Sequence, residues 1–367
     1  MFIPPLSNKG ANYMYKIKLN HLKYRYFTLA LILFTSLTSC GKVNNPSSDT
    51  TPTPAQDTLL QEPISKTSFK LNTIITITLF DSTDASIIDE CFALCDKYEN
   101  LFSRTIKTSE IFKLNQSNKT FDDLSPETVE LLQKSLYYGE LSKGAFDITL
   151  EPITSLWNFG SEHQRLPSQE EISSALLSVG YQNVILNDNS VTLKKENMGI
   201  DLGAIAKGYI ADQIKEYLLS RSVESAIINL GGNILLVGEK PNGEAFNIGI
   251  QKPYENYSET IAVMELSDVS VVSSGIYERY FVEDGKYYHH ILNPTTGYPY
   301  QNDLISVTII SKQSADGDAL STTCFALGLE KGLELIDSLE DTYAAFITKD
   351  DQLHYSKGFL ENINLVE

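Results

Sequence analysis

KLNTIITITLF, the stretch from residue 70 to residue 80, decides the fold class together with the segment that follows it. Isoleucine and threonine dominate this stretch, and β-branched side chains favour an extended strand. From residue 85 to residue 102 the apolar side chains recur at helical spacing instead: Ile87, Ile88, Cys91, Leu94, Cys95, Tyr98 and Phe102. That spacing places them on one face of a helix. A strand followed by an amphipathic helix is therefore expected at the start of the folded part.

The rest of the chain mixes strands and helices without a repeat. Helix patterns cover residues 126–141, 168–178, 204–219, 319–327 and 331–338, and strand patterns cover residues 184–186, 191–193, 226–237, 246–250, 261–266, 269–272, 304–310 and 344–348. Ser125 before Pro126, and Ser168 three residues before Glu171, are typical helix starts. Because the two kinds of element interleave irregularly, we predict an α+β fold with mixed, mainly antiparallel sheets and flanking helices.

Composition and charge exclude several classes of protein. With 42% hydrophobic and 21% charged residues, the 367-residue chain resembles globular proteins and not disordered or multi-span membrane proteins. It carries 29 Lys and Arg against 47 Asp and Glu, a net charge of −18, and five of the basic residues lie upstream of Cys40. The remainder is more acidic still and is repelled by phosphate backbones, so nucleic acid is not expected as a partner. An anionic ligand would need a cation to hold it.

The amino terminus is typical of a secretion signal. Basic residues precede the apolar run FTLALILFTSL at residues 27–37, which is short for a membrane span. The sequence LTSC then ends in Cys40 and resembles the lipobox of bacterial lipoproteins, in which that cysteine is lipidated; an ordinary signal peptide with an incidental cysteine is the alternative. We expect a signal peptide at 1–39, the lipidated cysteine and a flexible linker at 40–63, and one folded body at 64–367. The protein would then be extracytoplasmic and attached to the membrane by its lipid.

The segment IDLGAIAKGYIAD, residues 200–212, is the first candidate binding site. We predict the end of a strand at Asp201, a turn at Gly203, and then a helix. Free N–H groups at a helix start attract anions, and Lys207 lies close enough to reach a phosphate. The alternative is an ordinary helix cap followed by a solvated lysine. Neither this segment nor NLGGN at residues 229–233 matches a P-loop or the glycine pattern of dinucleotide-binding folds.

Two further segments, SSGIYER at residues 273–279 and YHHILNPTTGYP at residues 288–299, bring hydroxyls, glycines and two histidines together. Because His289 and His290 are adjacent, an extended backbone directs them to opposite faces, and at most one can enter a given site. The five histidines of the chain do not have zinc-site spacing. A purely structural surface histidine is the alternative to a functional one.

The last segment, SADGDALSTTCFALG at residues 314–328, contains Asp318 and Thr322. Residues four apart share one face of a helix. A carboxylate and a hydroxyl are hard oxygen ligands of the kind that Mg²⁺ prefers, with waters and substrate phosphates completing its shell. An Asp N-cap with an i, i+4 hydrogen bond is the alternative, and spacing alone does not separate the two.

Five segments, taken together in chain order, resemble the ApbE-type FAD:protein FMN transferases, which are bacterial lipoproteins that move FMN from FAD to a threonine of another protein. The segments are IDLGAIAKGY, INLGGN, SSGIYERYF, HHILNPTTGYP and DALSTT. The resemblance runs from about residue 70 to residue 347. Weaker matches are Phe102-Ser103, GAFD at residues 144–147, Glu151-Pro152 and Trp157. The resemblance implies an ApbE-like, T-fold-related single catalytic body with FAD as substrate and Mg²⁺ as cofactor.

The resemblance also implies roles for individual residues. Contacts with FAD would come from Ser103, Ala145, Phe146, Asp147, Asp201, Lys207, Ser274, Gly275 and His290. The carbonyl of Ala204, together with Asp318 and Thr322, would hold Mg²⁺. His290 would be catalytic and could accept the threonine proton, since the ordinary pKa of histidine, about 6.5, suits a base at neutral pH.

The chain departs from the family pattern at two positions. Asn293 stands where the family usually has Asp, and Asp316 adds an acidic residue beside the metal motif. The acceptor would be a protein carrying a flavinylated threonine, such as a subunit of a respiratory electron-transfer complex. Two other functions stay open at this point: an FAD diphosphatase that gives FMN and AMP, and a lipoprotein that binds flavin without catalysis.

Overall fold

The computed structural model describes residues 62–117, 119–253 and 259–366. Its first element is a β-hairpin. Strands β1 (Ile64–Lys70) and β2 (Thr73–Leu79) pair antiparallel. Leu71 and Asn72 form the turn between them, with φ angles of 52° and 55°. The prediction of one strand over residues 70–80 was therefore wrong at its start. The predicted signal peptide, Cys40 and the linker up to residue 61 lie outside the described residues.

Helices and strands alternate irregularly along the described chain. The helices are α1 (Ser86–Phe102), α2 (Glu110–Asn115), α3 (Pro126–Leu141), α4 (Glu151–Trp157), α5 (Gln169–Leu176), α6 (Ala206–Ser220), α7 (Ser314–Leu327), α8 (Leu329–Asp337) and α9 (Phe359–Asn362). The remaining strands are β3 (Thr120–Phe121), β4 (Val184–Asn187), β5 (Ser190–Leu193), β6 (Ala226–Leu230), β7 (Asn233–Val237), β8 (Phe246–Gln251), β9 (Thr260–Leu266), β10 (Ser270–Gly275), β11 (Tyr280–Glu283), β12 (Lys286–His289), β13 (Leu304–Ser311), β14 (Tyr343–Thr348), β15 (Leu353–Tyr355) and β16 (Asn364–Val366). None of the described helices is both long and apolar enough to cross a membrane.

An eight-stranded sheet with the order β1-β2-β6-β7-β10-β13-β14-β15 forms the centre of the fold. Three small sheets accompany it: β11-β12, β16-β9-β8 and β3-β5-β4. Every strand pair among the described residues is antiparallel. The predicted α+β class with mainly antiparallel sheets is confirmed. Residues 198–202, however, form no strand, so the strand end predicted at Asp201 is wrong.

Helices α6 and α7 lie directly against each other at Gly208. A Cβ atom on this glycine would lie 2.2 Å from the carbonyl oxygen of Ser314, so only glycine permits this approach. One turn later the Asp212 carboxylate accepts hydrogen bonds from the N–H groups of Ser314 (2.7 Å) and Ala315 (2.9 Å). Asp212 thus caps the start of α7. Burial raises the pKa of Asp212 to about 6, against the opposing effect of these two hydrogen bonds.

A separate aromatic cluster attaches the β11-β12 hairpin to α4. Trp157 is fully buried and packs against a group of four rings: Phe159, Phe281, Tyr288 and Tyr298. Its Nε1–H donates to the carbonyl oxygen of Gly297 at 2.8 Å, within the PTTGYP turn. The hairpin and this turn are therefore fixed by residues more than a hundred positions earlier in the chain.

Candidate functional site

Asp318 lies at the centre of the candidate site, one turn into α7 and only 5% exposed. Its Oδ2 accepts a hydrogen bond of 2.9 Å from the N–H of Gly208. Burial raises the pKa of this carboxyl, while the charge of Lys207, the hydrogen bond from Gly208 and the nearby Asn233 amide act in the opposite direction. Because α7 begins at Ser314, Asp318 is inside the helix, and the N-cap alternative is excluded.

Hydroxyl oxygens lie next to this carboxylate along α7. Thr322 follows one turn after Asp318, and its Oγ1 is 3.4 Å from the Oγ of Ser274 on β10. The Ser274 Oγ is also 2.7 Å from the Oγ of Ser321. Two predicted segments, SSGIYER and DALSTT, are thus brought together at one place.

Asn233 brings the NLGGN segment next to Asp318 and the start of α7. Gly231 and Gly232, with φ angles of 67° and 90°, make the tight turn between β6 and β7. Asn233 follows the turn, is fully buried, and accepts a 2.7 Å hydrogen bond from the Ser314 hydroxyl at its Oδ1. Its Nδ2 lies beside the Asp318 carboxylate, although within the described part of the chain it makes no hydrogen bond of ordinary geometry. Asn233 therefore connects the β6-β7 turn with the start of α7 and with Asp318.

The donor set at Asp318 fits Mg²⁺. It consists of one carboxylate, the Thr322 hydroxyl and neighbouring serine hydroxyls, all hard oxygen donors. Residues 62–117, 119–253 and 259–366 contain no group of three or more His, Cys, Asp or Glu placed to hold a metal. A site with few protein ligands suits Mg²⁺, which keeps waters and binds substrate phosphates. Ala204, whose carbonyl is the third predicted ligand, lies in the turn directly before α6.

The additional acidic residue Asp316 belongs to a different contact. Its carboxylate forms an ion pair with Lys134 and accepts a 2.6 Å hydrogen bond from the Tyr138 hydroxyl. These partners lie on α3, so Asp316 is neutralised there, away from the hydroxyl cluster at Asp318.

Two cations approach this site in an otherwise acidic chain. Lys207 lies in the first turn of α6, and no carboxylate of the described residues is within ion-pair distance of it. The charges of Lys207 and Arg279 both act on His290 and on Glu278. Desolvation raises the pKa of Glu278, and the charges of Lys207 and Arg279 oppose that rise. Glu278 and Arg279 belong to the SSGIYER segment, but the spacing of that segment predicts no role for either residue.

The two histidines differ sharply in environment. His289 is 4% exposed, and its Nε2–H donates to the Tyr300 carbonyl at 3.0 Å while its Nδ1 accepts from the N–H of Ile291 at 3.3 Å. Both ring nitrogens of His289 are thus used inside the fold. His290 is partly exposed, and its Nδ1 lies 3.3 Å from the carbonyl oxygen of Arg279.

The tautomer of His290 follows from that contact. A carbonyl only accepts, so Nδ1 carries the hydrogen and Nε2 keeps a free electron pair. Desolvation, followed by the charge of Arg279, lowers the pKa of His290 to about 3. The expectation of an ordinary pKa was therefore wrong, because sequence shows neither the desolvation of the ring nor the cations near it. The imidazole is neutral at physiological pH.

Four of the predicted FAD residues have structural contacts in the chain. Phe146 is 2% exposed and packs in the core, and the Ala145 carbonyl accepts from the Tyr300 hydroxyl at 3.1 Å. Asp147 accepts at one oxygen from the N–H and hydroxyl of Thr149 (2.8 and 2.6 Å) and at the other from the N–H of Tyr181 (2.9 Å).

Ser103, the fourth, ends α1, and its Oγ accepts from the N–H groups of Thr105 and Ile106. These contacts hold Phe146 and Asp147 in place within the fold, and the Ser103 hydroxyl holds the loop after α1; their contact with FAD stays a prediction. Gly275 ends β10 beside Ser274, where a Cβ would lie 2.7 Å from the Tyr277 ring.

Asp201 lies before α6, and both of its carboxylate oxygens accept hydrogen bonds within the chain. Oδ1 accepts from the N–H of Gly203 at 2.9 Å, and Oδ2 is 3.0 Å from Nε of Arg104. Arg104 follows the predicted Ser103 directly, yet its partner is almost a hundred residues away, so sequence reasoning missed it.

Asn293, the other departure from the family pattern, has a clear local role. Its Oδ1 accepts a 2.8 Å hydrogen bond from the N–H of Thr295, and its backbone oxygen accepts from the N–H of Gly297 at 2.8 Å. An aspartate oxygen can accept the same bond, so asparagine maintains this turn.

The part of the chain that contains these residues matches a known protein family. The model of the ApbE family matches residues 71–347. This chain belongs to the ApbE family. An FAD:protein FMN transferase of Klebsiella pneumoniae (strain 342) is 38% identical over 272 residues, which cover 73% of this chain and 84% of that relative. One of Treponema pallidum (strain Nichols) is 33% identical over 296 residues, 76% of this chain and 82% of the relative.

Solved ApbE structures show the same fold. The crystal structure of the ApbE protein from Thermotoga maritima has a TM-score of 0.75 and 31% identity, and covers 81% of this chain and 98% of its own. The flavin transferase ApbE from Vibrio cholerae has a TM-score of 0.74 and 27% identity, with 82% and 99% covered. The ApbE-like body expected from the ordered motifs is confirmed.

Proposed function

We propose that this chain is an FAD:protein FMN transferase that requires Mg²⁺ and attaches FMN to a threonine hydroxyl of an acceptor protein, with release of AMP. The observation that carries the proposal is the convergence of Asp318, Thr322, Lys207 and His290 around the start of α6 in a member of the ApbE family. Relatives of this chain bear the name of that activity.

The reaction is a displacement at phosphorus. The threonine oxygen forms a bond to the phosphorus of the FMN half of FAD, the bond from that phosphorus to the bridging oxygen breaks, and AMP leaves with the bond electrons. Negative charge grows on the diphosphate bridge, so positive groups there lower the barrier. Lys207 and the N–H groups at the start of α6 supply such charge in an acidic chain.

Asp318, Thr322 and the Ala204 carbonyl would hold Mg²⁺, which when bound neutralises charge on the diphosphate. Asp318 is suited to this because its carboxylate is buried and held in place by the Gly208 N–H. The α6-α7 contact therefore links the phosphate-binding end of α6 to the metal ligands on α7.

His290 accepts the threonine proton at Nε2. Its Nδ1–H is bonded to the Arg279 carbonyl, which fixes the tautomer that such a base needs. Desolvation opposes protonation of the ring, as do the charges of Arg279 and Lys207, and the phosphate charges of FAD offset those two cations when it is bound. The base is thus kept neutral and ready until the substrate arrives.

The test uses the purified chain with FAD, Mg²⁺ and a candidate acceptor from a flavinylated respiratory complex, followed by mass spectrometry of the acceptor. We expect the acceptor to gain one FMN, with an equal amount of AMP released. An acceptor in which the threonine is replaced by alanine is the matched control. Release of FMN and AMP without acceptor modification would indicate an FAD diphosphatase, and unchanged bound FAD would indicate a flavin-binding protein.

The proposal extends to the location of the enzyme. The order of basic residues, apolar run and LTSC supports lipidation at Cys40, which lies outside the described residues. The body would then work outside the cytoplasm, tethered to the membrane, where acceptor subunits of membrane complexes are within its reach. Radiolabelled palmitate incorporation, with Cys40→Ala as the control, tests the anchor.

A further inference from the structure

Arg104 and Asp201 form an ion pair between two segments that are distant in sequence. Nε of Arg104 is 3.0 Å from Oδ2 of Asp201, and the Thr154 hydroxyl donates to the same oxygen at 2.9 Å. The N–H of Gly203 donates to Oδ1 at 2.9 Å. Each oxygen of this carboxylate therefore has at least one partner within the chain.

The other end of Arg104 is bonded to α4. Its Nη1 donates to the Ser155 hydroxyl at 3.0 Å, and that hydroxyl donates to Oε1 of Glu151 at 2.5 Å. The same Nη1 lies 3.9 Å from this Glu151 oxygen, a longer ion pair than the one with Asp201. Glu151 in turn packs so closely on Gly199 that a Cβ there would lie 2.6 Å from its Oε2. Three pieces of chain, the loop after α1, α4 and residues 199–203, are thus joined through Arg104.

The location of the pair gives it electrostatic importance. Gly203 lies only three residues before α6 and four before Lys207. An unpaired carboxylate at this place would repel a diphosphate that approaches the α6 start. The side chains of Arg104 and Asp201 are 25% and 20% exposed, so water screens their charges only in part.

We infer that Arg104 is a positioning residue for FAD binding. It neutralises Asp201 and holds the turn at residues 201–203, so that the positive end of α6 faces the diphosphate without a competing negative charge. Asp201 then acts through this turn and not by contact with FAD. The inference rests on the proposed function, since it assigns the α6 start to the diphosphate.

The test compares FAD with riboflavin, which has no phosphate, by flavin fluorescence titration of the full chain in the presence of Mg²⁺. Arg104→Gln should weaken FAD binding about tenfold, because one partner of a charge pair is left alone. Riboflavin affinity should change less than about twofold, since a neutral ligand does not respond to the freed charge. Arg104→Lys, which keeps the charge, should restore most of the FAD affinity.

The double variant Arg104→Gln with Asp201→Asn separates charge from structure. If Arg104 acts by neutralising Asp201, the double variant binds FAD more tightly than Arg104→Gln alone; a purely structural role predicts equal or weaker binding. Arg165→Gln is the control for loss of a paired arginine elsewhere, because Arg165 makes a bidentate pair with Glu171 on α5 (2.7 and 2.8 Å). It should leave both affinities unchanged.

Three results would overturn the inference: unchanged FAD affinity in Arg104→Gln, equal loss of FAD and riboflavin affinity, or a double variant no better than the single one. Thermal denaturation of each variant identifies unfolding, and in that case Arg104→Lys decides alone by its FAD affinity. If the wild-type chain neither binds FAD nor transfers FMN, the proposed function fails. If it does both and the variants bind as wild type, only the inference about Arg104 fails.

Discussion

Gly208→Ala tests the contact on which the candidate site depends. In an ordinary helix this change stabilises the protein by about 1 kcal/mol, because alanine loses less backbone entropy than glycine. Here the new Cβ would lie 2.2 Å from the Ser314 carbonyl oxygen, 2.5 Å from its carbonyl carbon and 2.7 Å from Cα of Ala315. These are backbone atoms of α7 and cannot rotate away, so α7 has to retreat by about 1 Å to reach ordinary contact distance.

The expected magnitude follows from two costs and one gain. Overpacking a close contact costs about 1 to 3 kcal/mol. Stretching the hydrogen bond from the Gly208 N–H to the Asp318 carboxylate adds about 1.5 kcal/mol or more. Against the helix gain of about 1 kcal/mol, we expect a net loss of about 2 kcal/mol in the free energy of unfolding. The sign is thus opposite to that of an ordinary helix position.

Urea denaturation followed by tryptophan fluorescence measures this change, since Trp157 is the single tryptophan and is fully buried. Gly139→Ala on α3 is the matched control. Its Cβ would be 3.0 Å from the ring of Tyr181, a partly exposed side chain that can shift, so the change in stability should be close to zero. Metal-dependent FAD affinity should fall in Gly208→Ala and not in Gly139→Ala. Stabilisation of Gly208→Ala by about 1 kcal/mol would refute the reasoning about the α6-α7 contact.

The other predictions concern the metal, the base, a buried histidine and the anchor. Asp318→Ala should abolish Mg²⁺-dependent transfer and Asp318→Asn should weaken it, measured as AMP release at limiting Mg²⁺; unchanged release in Asp318→Ala contradicts the metal role. His290→Ala should bind FAD normally but transfer FMN about 10² to 10⁴ times more slowly in single turnovers, while His289→Ala, where it folds, should retain the rate; a slow His289→Ala enzyme would mean that the base is misassigned. Burial lowers the pKa of His289 to about 4, so the unfolded chain binds a proton before the folded one as pH falls from about 6.5 to 4, and stability is lost over that window. Between pH 7.5 and pH 5 this amounts to about 2 kcal/mol, and urea titrations of His289→Gln should show a pH dependence smaller by that amount. Cys40→Ala should prevent lipidation, so a mature lipidated species in membrane fractions of this variant argues against the anchor.

Local signals in the sequence determined many helices of this protein. Ser125 and Pro126 marked the start of α3, and its observed bounds, Pro126–Leu141, agree with the predicted ones. The capping box of Ser168 and Glu171 is present at the start of α5. Such caps are formed within a few residues, so the sequence carries them without help from the rest of the fold. The ordered motifs likewise identified the family before any geometry was known.

Other elements depend on partners that are distant in the chain. The turn at Leu71 and Asn72 was missed because neither residue is glycine, and the pairing of β1 with β2 stabilises their positive φ angles. Strands β11 and β12 have four residues each, which is too short for a strand pattern to be recognised in the sequence. Their aromatic side chains pack against Trp157, which lies far away in the chain.

The same division holds in the candidate site. The sequence by itself determined which residue types are available: a carboxylate and a hydroxyl one helical turn apart, a lysine at a helix start, and two neighbouring histidines. Only the tertiary structure decided that the Gly208 N–H donates to Asp318, which lies 110 residues later, and that Arg104 forms an ion pair with Asp201. It also decided that desolvation and the charge of Arg279 lower the pKa of His290 to about 3. Spacing along a chain fixes contacts within one element, whereas burial, charge neighbours and hydrogen bonds between elements arise only when the sheet and its helices are assembled.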